Sequence, residues 1–143
     1  MSDRPWDGEF LPTPLLPLES TFEGFLGLQW EQLSEQSAAL SFAVRDDLKQ
    51  PLGLVHGGIY SAVAETVASM ATASAVWRGG KIVSGLSNCA SFLRPITEGT
   101  VHVAARCRHH DEREWLWSHE FRDDRQRLCA LVDVVIAVRP RPT

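Results

Sequence analysis

The sequence predicts an α+β fold in which one antiparallel sheet wraps around a single long helix. Residues 56–77 have helical spacing, and four runs of strand character, separated by short polar turns, follow them. With 143 residues, of which 44% are hydrophobic, the chain has enough apolar material for one core and too little length for two ordinary domains. We therefore expect one domain, built as strand, long helix and antiparallel meander.

An N-terminal arm, residues 1–17, is predicted to be extended and to precede the domain at residues 18–143. Proline fixes φ and removes a backbone donor, so it disfavours regular structure. The arm contains Pro5, Pro12, Pro14 and Pro17. Residues 19–26 then have the pattern of a short helix, which we expect to end at Gly27, because glycine readily takes the left-handed conformation found after helix ends.

A strand and a loop are predicted before the main helix. Towards the end of residues 28–44, apolar side chains alternate with small or polar ones at the period of a half-buried strand. The apolar positions are Leu40, Phe42 and Val44. Residues 46–53 are predicted to be a loop that leads to the helix.

The predicted helix at residues 56–77 carries two stripes of side chains. One stripe is apolar and consists of Ile59, Val63, Met70 and Ala73. The other is small or polar and consists of Gly58, Ser61, Glu65, Ser69 and Thr72. We expect this helix, including Glu65, to be buried almost all round.

Four strands are predicted in the remainder of the chain, at residues 81–93, 101–110, 115–121 and 127–138. The turns between them fall at residues 97–100, 111–114 and 123–126. Connections this short favour antiparallel neighbours, since parallel strands need a long crossover. Within the third strand, Trp115 and Trp117 are expected to fill the core or a subunit contact, with a place in a ligand pocket as the alternative.

Charge and hydropathy exclude several classes of protein. A formal net charge of −4 disfavours a nucleic-acid partner, because such proteins usually carry a basic patch. The first ten residues carry acidic side chains where a secretory signal has a basic and then an apolar stretch. No segment approaches the roughly 20 apolar residues that span a bilayer. We expect a cytoplasmic protein with neither nucleic acid nor a membrane as its partner.

The cysteine and histidine patterns predict reduced thiols that lie in the core, and no metal site. The cysteines are odd in number, far apart and each set within an apolar strand-like run: Cys89, Cys107 and Cys129. The histidines lack the clustering with carboxylates that a metal site needs. Those outside the helix start, His102, His109, His110 and His119, are therefore expected on strand surfaces.

Glu65 is the only charged side chain of the predicted helix. Because a buried, unpaired carboxylate costs several kcal/mol, its presence needs a reason. One reading is a general base or nucleophile in a cleft. The other is a structural carboxylate, hydrogen-bonded to Ser61 or Ser69 or paired with a distant arginine.

The triplet His56-Gly57-Gly58 stands where the helix begins. Backbone N–H groups at a helix start, together with the positive end of the helix dipole, can hold developing negative charge. Glycine there lets a substrate carbonyl approach closely. A simple turn before a helix is the alternative.

The string QPLGLVHGGIYSAVAE, from Gln50 to Glu65, resembles the signature of hotdog-fold acyl-CoA thioesterases of the phenylacetyl-CoA and 4-hydroxybenzoyl-CoA type. The glutamate, with a glutamine before the motif, is similar to the 4-hydroxybenzoyl-CoA branch, although many relatives have asparagine in place of Gln50. The phrase FLRP at residues 92–95 also resembles the end of the following strand in these proteins. The resemblance covers residues 25–138 and implies a hotdog fold.

The resemblance further implies hydrolysis of an acyl-CoA to free acid and coenzyme A. The Gly57 N–H, helped by Gln50, would polarise the thioester carbonyl, within the helix start that His56 and Gly58 complete. Glu65, reaching the same thioester from a neighbouring subunit, would attack it directly or activate water. No metal and no cofactor is expected, since coenzyme A is part of the substrate.

Two further residues have roles implied by the same resemblance. Ser69 matches a position where relatives keep a hydroxyl that places the water or the acid; an ordinary small residue in a tight helix is the alternative. Arg94 would meet a coenzyme A phosphate, although an arginine at a strand end is more often solvated. The acyl group is open between aromatic and medium-chain types.

The expected assembly is a homodimer or a dimer of dimers, that is, a homotetramer. Two other functions remain as alternatives. One is a hotdog 2-enoyl-CoA hydratase or dehydratase, whose acid and histidine motifs we do not find. The other is a non-catalytic acyl-CoA binding module, which usually needs an output domain that these 143 residues do not offer.

Overall fold

One six-stranded antiparallel sheet and one long helix make up the structure, a computed structural model that describes residues 11–143. The strands are β1 (Gln29–Leu33), β2 (Ser37–Ala43), β3 (Lys81–Phe92), β4 (Thr100–His110), β5 (Glu114–Arg122) and β6 (Leu128–Pro140). The helices are α1 (Phe22–Leu26) and α2 (Gly57–Val76), with single 3-10 turns at Leu18–Ser20, Asp46–Leu48 and Trp77–Gly79. The predicted α+β fold, a sheet wrapped around one helix, is confirmed.

Helix α2 lies where the spacing predicted it. His56 caps its start, and Gly80, with φ 75°, follows the 3-10 turn after its end. Its sheet-facing side is built from fully buried small and branched residues, Val63, Ala64, Val67, Ala68 and Ala71. Small side chains on this face let the helix approach the sheet closely.

The opposite side of α2 is open, so the expected near-complete burial is wrong for the single chain. Glu65 is exposed, and Ser61 and Ser69 are half-buried. The reason is geometric: one sheet covers one side of a helix. Towards the helix end Thr72 is fully buried and accepts a hydrogen bond from Trp117 Nε1 at 3.0 Å.

The predicted strand at residues 28–44 is a hairpin of β1 and β2. In β2 the alternation is as predicted, with Leu40 and Phe42 fully buried. Strand β2 pairs with β4, and β4, β5 and β6 form the predicted meander. Trp115 and Trp117 lie in the core.

The short-connection rule is wrong for β3 and β4. The sheet order is β1-β2-β4-β5-β6-β3, so β3 pairs with β6 and forms an edge. Residues 93–99 cross the end of the sheet instead of closing a hairpin. This crossing is held by the buried Ile96, whose carbonyl accepts from the Val55 N–H at 2.9 Å, and by the Cys129 carbonyl, which accepts from Leu93 and Arg94.

Strand β3 contains a β-bulge between Gly85 and Ser87, where Leu86 has no partner on β6. Within residues 11–143, β3 has a neighbouring strand on one side only, and most of its residues are exposed. Leu86 and Phe92 are 53% and 59% exposed. Cys89 is exposed as well, so its expected place in the core is wrong, whereas Cys129 is buried as predicted.

The predicted N-terminal arm is described from residue 11 onward, and its first ten residues lie outside the described residues. Residues 11–17 contain no helix or strand, but Leu11 is only 1% exposed. The division into arm and domain at residue 17 stays a prediction. None of the helices formed by residues 11–143 has the length and apolar character to cross a membrane.

His119 is buried, not on a strand surface as expected. It lies on the same face of β5 as Trp117 and Phe121, the face towards α2, and its side chain is fully buried. Its Nδ1 donates to the Val132 carbonyl at 2.9 Å, and its Nε2 has no hydrogen-bond partner within residues 11–143. Burial lowers the pKa of His119 from 6.5 to about 4, because the charged imidazolium is poorly solvated there.

We expect the free energy of unfolding to fall as the pH drops from 6.5 towards 4. In this window the unfolded chain binds a proton at His119 and the folded chain does not, so acid favours unfolding, by up to about 3 kcal/mol in total. Urea denaturation across this pH range measures the slope. His119→Phe should flatten it, whereas the control His110→Gln, at an exposed residue of β4, should not. An equal slope in wild type and His119→Phe would contradict the assignment.

Candidate active site

His56 caps helix α2 with its side chain. The Nδ1 atom accepts a hydrogen bond from the Gly58 N–H at 2.8 Å, which places the imidazole proton on Nε2. The His56 N–H donates to the Leu48 carbonyl at 2.9 Å. A Cβ at Gly58 would lie 3.0 Å from Nδ1, so the glycine keeps room for this cap.

The Gly57 N–H is the backbone donor at the helix start that the His56 cap does not use. The Gly58 N–H is used by His56, and the Ile59 N–H donates to the His56 carbonyl at 2.9 Å. Within residues 11–143 the Gly57 N–H has no acceptor. It therefore points out of the helix start as a free donor at the positive end of the helix dipole.

Gly57 is helical and does not have a positive φ, so its backbone conformation does not require glycine. The space beside it does. A Cβ at Gly57 would lie 2.8 Å from Cζ of Phe92, whose ring covers the helix start and stands 6.0 Å from the ring of Tyr60. Phe92, the aromatic residue of the FLRP sequence, thus lies directly over the His-Gly-Gly triplet.

Gln50 lies in the loop before α2, where it is half-buried. Its Oε1 accepts from the Leu52 N–H, and its backbone N–H donates to the Leu54 carbonyl at 2.9 Å. The loop is closed by this bond and by a bridge between Lys49 and Val55. The oxygen end of the Gln50 amide is therefore occupied by its own loop, which leaves the Nε2 end as the group able to meet a ligand.

Glu65 stands two turns further along α2, on the open side. Its carboxylate lies against Gly85 of β3, since a Cβ at Gly85 would be 2.9 Å from Oε1. Neither Ser61 nor Ser69 donates to it, and it has no ion-pair partner among residues 11–143. The structural alternative of a hydrogen-bonded or paired carboxylate is thus not found in the single chain.

A cavity of about 710 Å³ opens beside Glu65. Helix α2 contributes Ala62, Glu65, Thr66 and Ser69 to its wall. The other wall comes from the N-terminal arm and α1, with mostly apolar side chains such as Pro12, Leu15, Leu16 and Phe22. Its size lies in the range of ligand sites, which are usually about 300–1,000 Å³.

Glu23 of α1 also lines this cavity, and the sequence reading missed it. Its Oε1 accepts a hydrogen bond from Thr66 Oγ1 at 3.4 Å. Burial, and to a lesser degree the charge of Glu65, raise the pKa of Glu23, while the Thr66 bond opposes the rise. No local pattern could have revealed it, because its partner is 43 residues away in the chain.

The predicted site residues fall into separate groups in one chain. Gln50, His56, Gly57 and Gly58 form the helix start, and Glu65 and Ser69 lie in the middle of the helix. At a rise of about 1.5 Å per residue, Gly57 and Glu65 are about 12 Å apart along the axis. Arg94 is exposed on the crossing segment. Among residues 11–143, no group of three or more His, Cys, Asp or Glu side chains is placed to hold a metal ion.

The family described as the Thioesterase superfamily matches residues 52–130 of this chain. A candidate esterase of Mycobacterium tuberculosis is 37% identical over 126 residues, which cover 83% of this chain and 88% of the relative. The solved structure of that esterase superposes with a TM-score of 0.81 at 34% identity, and covers 85% of this chain and 98% of its own.

Two further relatives have more specific names. The 1,4-dihydroxy-2-naphthoyl-CoA hydrolase of Escherichia coli is 30% identical over 120 residues, which cover 84% of this chain and 88% of the hydrolase. The structure of a mutant thioesterase from Pseudomonas aeruginosa matches with a TM-score of 0.80 and 26% identity, over 89% of this chain and 96% of that one.

Proposed function

This chain belongs to the thioesterase superfamily and is a thioester hydrolase, and from that premise we propose that it hydrolyses an acyl-CoA to the free acid and coenzyme A with Glu65 as its catalytic carboxylate. One observation carries the assignment of Glu65: its carboxylate has no partner within residues 11–143 and borders a cavity of ligand size. The name of the E. coli relative, a hydrolase of a naphthoyl-CoA, supports the substrate class.

The helix start supplies the electrophilic half of the proposed mechanism. The free Gly57 N–H donates to the thioester oxygen, and the dipole of α2 adds to the stabilisation of the negative charge that grows there. The Gln50 Nε2 provides a second donor from the loop. His56 and Gly58 keep the Gly57 N–H free, because the imidazole takes the next donor of the helix for itself.

Glu65 supplies the nucleophilic half by one of two routes. It attacks the carbonyl carbon, forming an anhydride and expelling the coenzyme A thiolate, and water then cleaves the anhydride. Alternatively it removes a proton from a water molecule, which attacks the same carbon and expels the thiolate. Ser69 lies one turn beyond it, where its hydroxyl can place the water or the acid. Neither route needs a metal or a cofactor.

The two halves come from different subunits in this proposal. About 12 Å along one helix is too far for both to touch one thioester group. A second chain laid against the open side of α2 would bring its own Gly57 towards Glu65. The edge strand β3, unpaired on its outer side within the described residues and carrying the exposed Leu86, offers a surface for such a pairing. We propose a homodimer as the minimal active unit, assembled further into a dimer of dimers, in the cytoplasm.

We expect subunit complementation between two inactive variants, Glu65→Gln and Gly57→Pro. If each site draws on both chains, a mixed dimer contains one site with both changes and one site with neither. Mixing the variants under exchange conditions should therefore restore thiol release above the level of either alone, and light scattering should report a dimer or larger. An active monomer, or no restoration despite proven exchange, would rule out the shared site.

The acyl-CoA assignment is tested by a thiol-release assay across aromatic and medium-chain acyl-CoAs. Hydrolysis frees the coenzyme A thiol, whereas a hydratase would change the absorbance of a 2-enoyl-CoA without freeing thiol. A binding module would retain the intact thioester. Absence of thiol release with every acyl-CoA from a folded, oligomeric protein would overturn the proposal.

Gly85→Ala is expected to lower kcat by about 10- to 100-fold with little change in stability. The new methyl group would stand 2.9 Å from Glu65 Oε1 and push the carboxylate aside, and displacements near 1 Å can cost about 10²-fold in rate. Gly79→Ala is the matched control, because nothing lies within 4 Å of its Cβ position.

A double variant separates displacement of the carboxylate from general damage. Aspartate is one methylene shorter than glutamate and clears the added methyl, so adding Glu65→Asp should cost less in the Gly85→Ala protein than in the wild type. A double-mutant cycle on kcat measures this coupling. Strictly additive losses would mean that Gly85 does not act through Glu65.

A further inference from the structure

The cavity beside Glu65 is walled on its far side by the N-terminal arm and α1. Leu11 of the arm is buried. The residues that follow it, among them Pro12, Leu15 and Leu16, line the cavity. If Glu65 acts on the thioester carbon, the acyl group attached to that carbon has this cavity directly in front of it. The acyl group is therefore the occupant that the position of Glu65 favours.

Among residues 11–143, two carboxylates line this cavity and no lysine or arginine does. Glu65 is one, and the half-buried Glu23 is the other. Within residues 11–143, the only hydrogen bond of Glu23 comes from Thr66 at 3.4 Å. The Thr66 hydroxyl is neutral, so no positive charge is paired with the Glu23 carboxylate there. The remaining lining is apolar or hydroxylic. An acyl group that ends in a carboxylate would bring a further negative charge into this setting.

We propose that Glu23 is a specificity-determining residue that restricts this enzyme to acyl groups without a negative charge. The inference rests on the proposed function and adds a substrate class to it. Selection works through repulsion: a site can discriminate by placing a like charge against the unwanted ligand as well as by contacts to the preferred one. In a cavity with apolar walls, two carboxylates repel more strongly than they do in water.

Hexanoyl-CoA and adipoyl-CoA test the inference, since their acyl chains have six carbons each and differ by the terminal carboxylate. We expect the wild type to have a higher kcat/KM for hexanoyl-CoA. Glu23→Gln, which keeps the shape and removes the charge, should raise kcat/KM for adipoyl-CoA by about tenfold, equivalent to about 1.4 kcal/mol. The quantity that decides is the ratio of kcat/KM for adipoyl-CoA to kcat/KM for hexanoyl-CoA, measured on the same preparation, which should rise in Glu23→Gln.

Two more variants control for net charge and for folding. Glu19→Gln removes the same charge from an exposed residue of the neighbouring 3-10 turn that does not line the cavity, and it should not change the hexanoyl to adipoyl ratio. Leu16→Lys adds a cation to the cavity wall at a residue that is 61% exposed, and so leaves Glu23 and the core untouched. It should raise kcat/KM for adipoyl-CoA as Glu23→Gln does.

The outcomes separate this inference from the proposed function. A wild type that releases thiol from neither substrate nor from the wider acyl-CoA panel contradicts the proposed function, and the inference falls with it. A wild type that cleaves hexanoyl-CoA, combined with an unchanged ratio in Glu23→Gln and Leu16→Lys, overturns the role of Glu23 alone. A wild type that prefers adipoyl-CoA overturns it as well.

Discussion

Glu65→Gln is expected to fold normally and to lose thioester hydrolysis by about 10²- to 10⁴-fold in kcat, the range that a positioned acid or base contributes. Glutamine has nearly the same shape, so no cavity or clash arises against Gly85. What is lost is the negative charge, and with it the ability to attack a carbonyl or to take a proton from water. Thiol release under saturating acyl-CoA measures the effect.

The control for Glu65→Gln is Glu31→Gln on the exposed surface of β1, which removes an equal charge away from the cavity and should retain full activity. Thermal melting and light scattering on the same preparations show whether fold and assembly are kept. Wild-type turnover by a folded, oligomeric Glu65→Gln protein would contradict a catalytic role for this residue.

Gly57→Pro should lower kcat by about 10²- to 10³-fold, corresponding to about 2.7–4 kcal/mol, because it deletes one oxyanion donor. Proline suits the backbone of this position, although its Cβ would meet Phe92 as that of alanine would. Gly57 is the first residue of α2, where proline is well tolerated, and His56 before it has φ −62° and ψ 133°, which proline accepts in its predecessor. The N–H is therefore removed with little strain in the backbone.

Gly57→Ala is the matched variant, since it adds a Cβ next to Phe92 but keeps the N–H. It should lose less turnover than Gly57→Pro at a similar melting temperature. The rate constants kcat and KM, measured together with melting on both variants, separate the loss of a donor from crowding by the side chain. Equal losses in the two variants would refute the oxyanion role and leave crowding against Phe92 as the explanation.

Periodicity was enough to place α2 and the strands β2 to β6, because each of these elements repeats its apolar residues at a fixed interval. It did not separate β1 from β2, which were predicted as one strand. The helix start was equally visible. His56 and the two glycines are neighbours in the chain, and their roles, a side-chain cap beside a free N–H, depend on local geometry alone.

Features that depend on distant contacts were missed. The exposure of Glu65 follows from how far one sheet reaches around a helix, and the place of β3 next to β6 follows from the crossing of residues 93–99. His119 was misplaced because histidine was counted as a surface residue although it continues the buried alternation of Trp117. Among the described residues, the hydrogen-bond partner of Glu23 is Thr66, 43 residues away in the chain, and no short pattern encodes such a contact.

The bulge in β3 determines which side chains of that strand face α2. Side chains of a regular strand point to opposite faces at odd separations, so residues 85 and 92, seven apart, would face opposite ways. The unpaired Leu86 adds one residue to the strand, so the side chains after it point to the opposite face from the one expected in a regular strand. As a result Gly85 and Phe92 both face α2, Gly85 against Glu65 and Phe92 over Gly57. The one extra residue thus lets a single strand lie against both groups of α2 to which we propose to assign the chemistry, whereas a regular strand would turn either residue 85 or residue 92 away from the helix.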